Sequence, residues 1–211
     1  MALLDRPVRE LLDAFSSSDP TPGGGSASAL ASAVGASLLI MVASLPRTRA
    51  GSDNDRTALS RAAAALTAIR PQLAEAVDAD TAAYSEVVAA YKLPKGTDEE
   101  KATRKPAIQR ALQRATDIPL GVMRLSAQAL SQATVVAAHG HRGAASDVGV
   151  AIALLRAGLR GARLNVDINL DAIQDEAYTR SVRAEAERLA HEGDAAADSA
   201  DAALRESGIQ N

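Results

Sequence analysis

Apolar residues recur at helical spacing along nearly the whole chain, and the pattern divides at prolines and glycines. Val8, Leu11, Leu12 and Phe15 share one face of a first short helix, with Asp5 as its cap, Pro7 near its first turn and Ser16 to Ser18 at its end. After the turn Pro20-Thr21-Pro22-Gly23-Gly24-Gly25, the run from Ser26 to Leu45 carries no charge and is small or apolar on every side, as in the central helix of a bundle. Ser26 is its expected N-cap and Pro46 stops it. Ala27, Ala31 and Gly35, with Ser28 and Ser32, let neighbouring backbones come close. From about Asp53 to Tyr91 a long pattern carries Leu66, Ile69, Leu73, Val77, Tyr84 and Val88, and Pro71 is expected to kink or split it.

A break at Lys92-Leu93-Pro94-Lys95-Gly96 is followed by Thr97 and Glu100, a capping box. Pro106 lies early in that helix. Pro119 is expected to kink or end it, with a further helix from Ile118 to Ala138. His139-Gly140-His141-Arg142-Gly143 closes this segment. Val148, Val150, Ile152, Leu154 and Leu155 then mark a buried helix that starts between Ala144 and Asp147, where Gly158 and Gly161 permit close packing or termination. The charged, Ala-rich stretch from Asp171 to Leu204 reads as one or two amphipathic helices broken near Gly193.

Composition sharpens this picture. The 211 residues include one Phe, three Tyr and no Trp, and alanine is abundant, so closely packed helices built from small side chains are expected in place of a sheet. The expected fold is all-α, an up-and-down bundle of about six to nine helices forming a single domain over residues 1–211. A net charge of −3 with scattered Lys and Arg argues against a nucleic-acid surface. Absence of cysteine rules out disulfides, a thiol nucleophile and thiolate metal sites. The segment Met1 to Pro7 has no basic stretch followed by an apolar core, so no signal peptide is expected and a cytoplasmic location is. Ser26–Leu45 has the length of a membrane span, but its serines and alanines fit a bundle core, and no membrane partner is expected.

Candidate chemistry gathers at four places. The Gly-rich turn feeding a helix could offer free N–H groups to an anion or carbonyl, or it could be no more than a rigid turn. Asp80 and Tyr84 share one side of their helix. His139, His141 and Asp147 lie close in sequence, a weak spacing for zinc, and no metal is expected. Asn165 and Asn169 face one way if helical, and their amides need partners. No G-x-S-x-G elbow, no P-loop and no H-E-x-x-H occurs. A flat polar heterocycle handled by a carboxylate suits this set.

Five motifs occur in one order: Pro20 to Ser26, Met41-Val42-Ala43, Tyr91 to Lys95, Ser146-Asp147-Val148-Gly149-Val150 and Asn165-Val166-Asp167-Ile168-Asn169. In that order and approximate spacing they resemble the cyclodeaminase/cyclohydrolase family, over roughly Val8 to Asp171. The chain departs from the family pattern at Ser44-Leu45-Pro46-Arg47, where Asn-Leu-Thr and a lysine-rich segment are common, and at His141-Arg142, where asparagines are common. The resemblance implies a helical homodimer acting on a tetrahydrofolate derivative, with no prosthetic group. Its reactions are hydrolysis of the methenyl bridge or, alternatively, closure of a formimino group with release of ammonia; a helical dimer that holds folate without turnover is the third possibility. Asp147 is the first choice for acid/base work, Asp80 the second, and His141 a possible proton shuttle. The binding residues it implies are Pro22, Gly23, Gly24, Gly25, Ser26, Tyr84, Lys95, Ser146, Asn165 and Asn169.

Overall fold

A computed structural model describes residues 2–206. Among them are six α-helices and no strand: α1 (Val8–Ser16), α2 (Gly24–Ser44), α3 (Asp53–Tyr91), α4 (Asp98–His139), α5 (Ala145–Leu170) and α6 (Glu176–Glu206), with short 3₁₀ turns at Leu3–Asp5 and Arg142–Ala144. The all-α expectation holds.

From α3 onward each helix runs antiparallel to the one before. Ser26, at the start of α2, bonds to Val77 late in α3. Arg114 of α4 faces Glu86 of α3, and Asn169 at the end of α5 reaches Ala115 of α4. Arg156 and Arg160 of α5 pair with Asp194 of α6. The sixth helix therefore runs parallel to α4, to which it is tied by Tyr178 on Asp117 and by a two-bonded Arg124–Glu185 pair. One contiguous core joins all six helices, with Leu39, Leu66, Leu73, Leu120, Met123 and Leu155 at its centre.

The closest packing is between α2 and α5. A Cβ on Gly158 would stand 2.0 Å from Ser32 Oγ and 2.7 Å from the Ser28 carbonyl, and one on Gly161 would stand 2.3 Å from Ser28 Oγ. These glycines pack; they do not terminate the helix. By length and composition α2 could cross a membrane, but its Gly25–Ser28–Ser32–Gly35 side is buried in the bundle.

Several expected breaks are absent. Pro71 lies inside the unbroken α3 and Pro119 inside the unbroken α4, in whose early part Pro106 sits as expected. Proline leaves the carbonyl four residues earlier without its helical partner. For Pro119 that carbonyl belongs to Ala115, and it accepts a bond from the Asn169 amide at 3.0 Å. Gly193 likewise does not break α6, because it is buried where a Cβ would meet Leu159 of α5 at 2.3 Å. At the other end of the chain Asp5 belongs to the 3₁₀ turn, and Pro7 flanks α1 in its place. Capping boxes at Ser52/Asp55 and Thr97/Glu100 start α3 and α4. Arg49 covers the end of α4, its guanidinium donating to the Ala137 and Gly140 carbonyls.

Candidate active site

The turn before α2 ends on Gly23, which is the N-cap with extended backbone (φ −122°, ψ −156°), so the helix begins two residues earlier than a Ser26 cap requires. Ser26 stands in the first turn, fully buried. Its N–H donates to Asp80 Oδ2 at 2.9 Å, and its Oγ lies 3.0 Å from the same oxygen, 2.9 Å from the Val77 carbonyl and 3.3 Å from Thr81 Oγ1. The positive end of α2 thus already faces an anion, the carboxylate that α3 supplies.

Asp80 explains the glycine beside it. A Cβ on Gly25 would stand 2.1 Å from Asp80 Oδ1 and 2.5 Å from Cγ. Gly24 is different, since a Cβ there would meet Asn165 at 3.4 Å, an ordinary contact. None of the three glycines has a left-handed φ, so the need for glycine comes from the carboxylate's approach at Gly25 and not from backbone strain in the turn.

Burial pushes the Asp80 carboxyl above the usual aspartate range, and the two bonds from Ser26 only partly oppose this. Among the described residues no cation contributes: α2 has no charged residue, and Arg163 on α5 is paired with Asp167. A carboxyl that is desolvated, fixed by donors on one oxygen and without a cationic partner is equipped to take up and return a proton. Beside it, Gly24 is exposed, Asn165 bonds back to the Gly161 carbonyl while lying over Gly24, and Tyr84 is 42 % exposed one turn along α3.

The structure brings Gly23, Gly24, Gly25, Ser26, Asp80, Tyr84 and Asn165 to one end of the α2–α3–α5 layer, with Pro22 buried behind the turn. It leaves the remainder elsewhere. Asp147 and Ser146 open α5, about five turns and ~27 Å along the helix from Asn165. His141 is with them, its Nδ1 accepting from the Gly143 N–H at 3.1 Å. Lys95 is exposed in the α3–α4 loop, three turns of α3 beyond Asp80. Asn169 is turned to α4 and spends its amide on Ala115. Among the described residues no group of three or more His, Asp or Glu could hold a metal ion. Sequence reasoning missed Thr81, whose only signal is its place next to Asp80, and it missed Asp78, which accepts from the Leu3 N–H at 2.6 Å and ties down the N-terminal segment.

A family profile described as Formiminotransferase-cyclodeaminase matches residues 7–188. The chain belongs to that family. A methenyltetrahydrofolate cyclohydrolase of Methylorubrum extorquens is 38% identical over 89% of this chain and 90% of its own length. A formimidoyltransferase-cyclodeaminase of Rattus norvegicus is 33% identical over 86% of this chain, but the match spans only 34% of that longer protein. The crystal structure of a formiminotetrahydrofolate cyclodeaminase from Thermotoga maritima superposes with a TM-score of 0.83 at 26% identity, covering 96% of this chain and 98% of that one.

Proposed function

We propose that this member of the formiminotransferase-cyclodeaminase family is an enzyme of folate one-carbon metabolism that hydrolyses 5,10-methenyltetrahydrofolate to 10-formyltetrahydrofolate. The observation that carries the reading is the Asp80 carboxylate, desolvated, held on one oxygen by Ser26, and set at the Gly-rich turn that opens α2. The end-to-end match to a cyclohydrolase of similar length favours hydrolysis. The resemblance to the Thermotoga maritima cyclodeaminase supports the second reading, ring closure of 5-formiminotetrahydrofolate with loss of ammonia.

In the hydrolysis, water adds to the bridging carbon and gives one proton to Asp80. That carbon is then bonded to N5, N10 and a hydroxyl. As its bond to N5 breaks, N5 takes the proton held by Asp80, the hydroxyl proton leaves to solvent, and the formyl group remains on N10. One proton is released overall. The carboxylate also balances the cationic amidinium of the substrate. Gly24, Asn165 and Tyr84 border this position and would hold the heterocycle.

The working unit is a homodimer of one-domain subunits in the cytoplasm, with folate as the small-molecule partner and no prosthetic group. Asp147, with Ser146 and His141 near it, lies at the far end of the face that a second subunit would cover, and enters the site from there. Loss of the methenyl chromophore in the presence of protein tests the proposal. Turnover faster than the uncatalysed rate is expected; turnover of 5-formiminotetrahydrofolate alone would select the second reading, and turnover of neither would leave folate binding without catalysis.

A further inference from the structure

We propose that Ser26 is a positioning residue that makes Oδ1 of Asp80 the proton-exchanging oxygen, by engaging Oδ2 with both its N–H and its hydroxyl. The inference rests on Asp80 being the acid/base group. The two carboxylate oxygens are not equivalent. Oδ2 lies 2.9 Å from Ser26 N and 3.0 Å from Ser26 Oγ, whereas Oδ1 has no donor among the described residues and lies over Gly25, in the space a Cβ would fill. An oxygen that already accepts two bonds is the weaker base, so an incoming proton goes to the other one.

Ser26 has one hydroxyl proton and two acceptors within reach, Asp80 Oδ2 at 3.0 Å and the Val77 carbonyl at 2.9 Å. With Asp80 ionised, the hydroxyl donates to the carboxylate. Once Oδ1 is protonated Oδ2 loses charge, and the hydroxyl turns to Val77 without any heavy atom moving. The fully buried Ser26 thereby favours the ionised form and strands no donor in the neutral one. The groups packed around Asp80 leave this control to Ser26: α2 is uncharged, α5 presents Asn165, Arg163 is paired with Asp167, and the carboxylate of Asp78 accepts from Leu3.

The test follows the Asp80 carboxyl carbon and the Ser26 amide by NMR across pH in the parent and in Ser26→Ala. In the parent both signals should share one midpoint. In Ser26→Ala the carboxyl midpoint should move to higher pH, the acid limb of kcat should move with it, and kcat below the midpoint should fall about tenfold with KM little changed. Ser26→Cys, with a weaker donor, should lie between the two. A purely structural serine would lower Tm and leave the limb in place, and that result would overturn the proposal. So would a Ser26 amide indifferent to the Asp80 titration, a measurement on the parent that decides the matter even if Ser26→Ala does not fold. Should the parent turn over neither folate, the functional reading fails, while the NMR titration still tests the Ser26–Asp80 coupling by itself.

Discussion

Asp80 shows how one side chain can cost stability and supply chemistry together. Its folded pKa lies above that of the unfolded chain, so the folded state binds the proton more tightly and stability declines as pH rises from the ordinary aspartate range through the raised value. Once ionised, the buried group is a burden on the fold. Asp80→Asn keeps an oxygen for the Ser26 N–H and hydroxyl and removes the buried charge, so Tm at neutral pH should hold or rise while activity falls about 10²–10⁴-fold. Thermal unfolding beside a methenyl assay checks both halves. A fall in Tm with activity retained would move the acid/base role to Asp147. Residue pattern alone marks Asp80 as a helix carboxylate one turn from Tyr84, and the family resemblance ranks it second to Asp147, because its defining contacts come from Ser26, 54 residues away.

At the scale of elements, helical spacing made the helical stretches legible, with boundaries near the caps at Ser52, Thr97 and Gly140, but not the continuity of α3 through Pro71 and of α4 through Pro119. What it hid were the places where one helix makes good a defect in another. Asn169 meets the carbonyl that Pro119 leaves open, and nothing local to Pro119 signals it. The glycines show the same dependence on neighbours, since identical residues in helical backbone have opposite worth according to what faces them. Gly121 in α4 has nothing within 4 Å of its absent Cβ, whereas Gly158 in α5 faces the Ser28 carbonyl at 2.7 Å, which cannot swing aside as a side chain can. Gly121→Ala should therefore stabilise by about 0.5–1 kcal/mol, and Gly158→Ala should destabilise by about 1–3 kcal/mol by forcing α2 and α5 apart. Urea midpoints compared at equal m-values would show the two signs.

For the whole molecule, the decisive feature is the outer face of α2 and α5. Val34 and Met41 on α2, with Val150, Leu164 and Ile168 on α5, are 40–70 % exposed, and α2 contributes no charge to this face. Exposed apolar residues gathered on one face suit docking, and a second copy is the partner we propose. An isologous contact presents the same patch twice. A two-fold axis through its middle exchanges its ends, carrying Asp147 of each subunit toward the Asp80 turn of the other, which would unite two carboxylates that lie at opposite ends of α5 within one subunit. A dimer is expected by light scattering at micromolar concentration, and Leu164→Glu should yield monomers. Hybrids give the sharper test. Asp80→Asn and Asp147→Asn should each be inactive alone, yet a hybrid dimer of the two contains one site with both carboxylates intact. Random mixing makes half the dimers hybrid, so co-refolding should restore about a quarter of the parent activity. If each site were built within a single subunit, every site in the mixture would lack one carboxylate, and the mixture would stay as inactive as its parts.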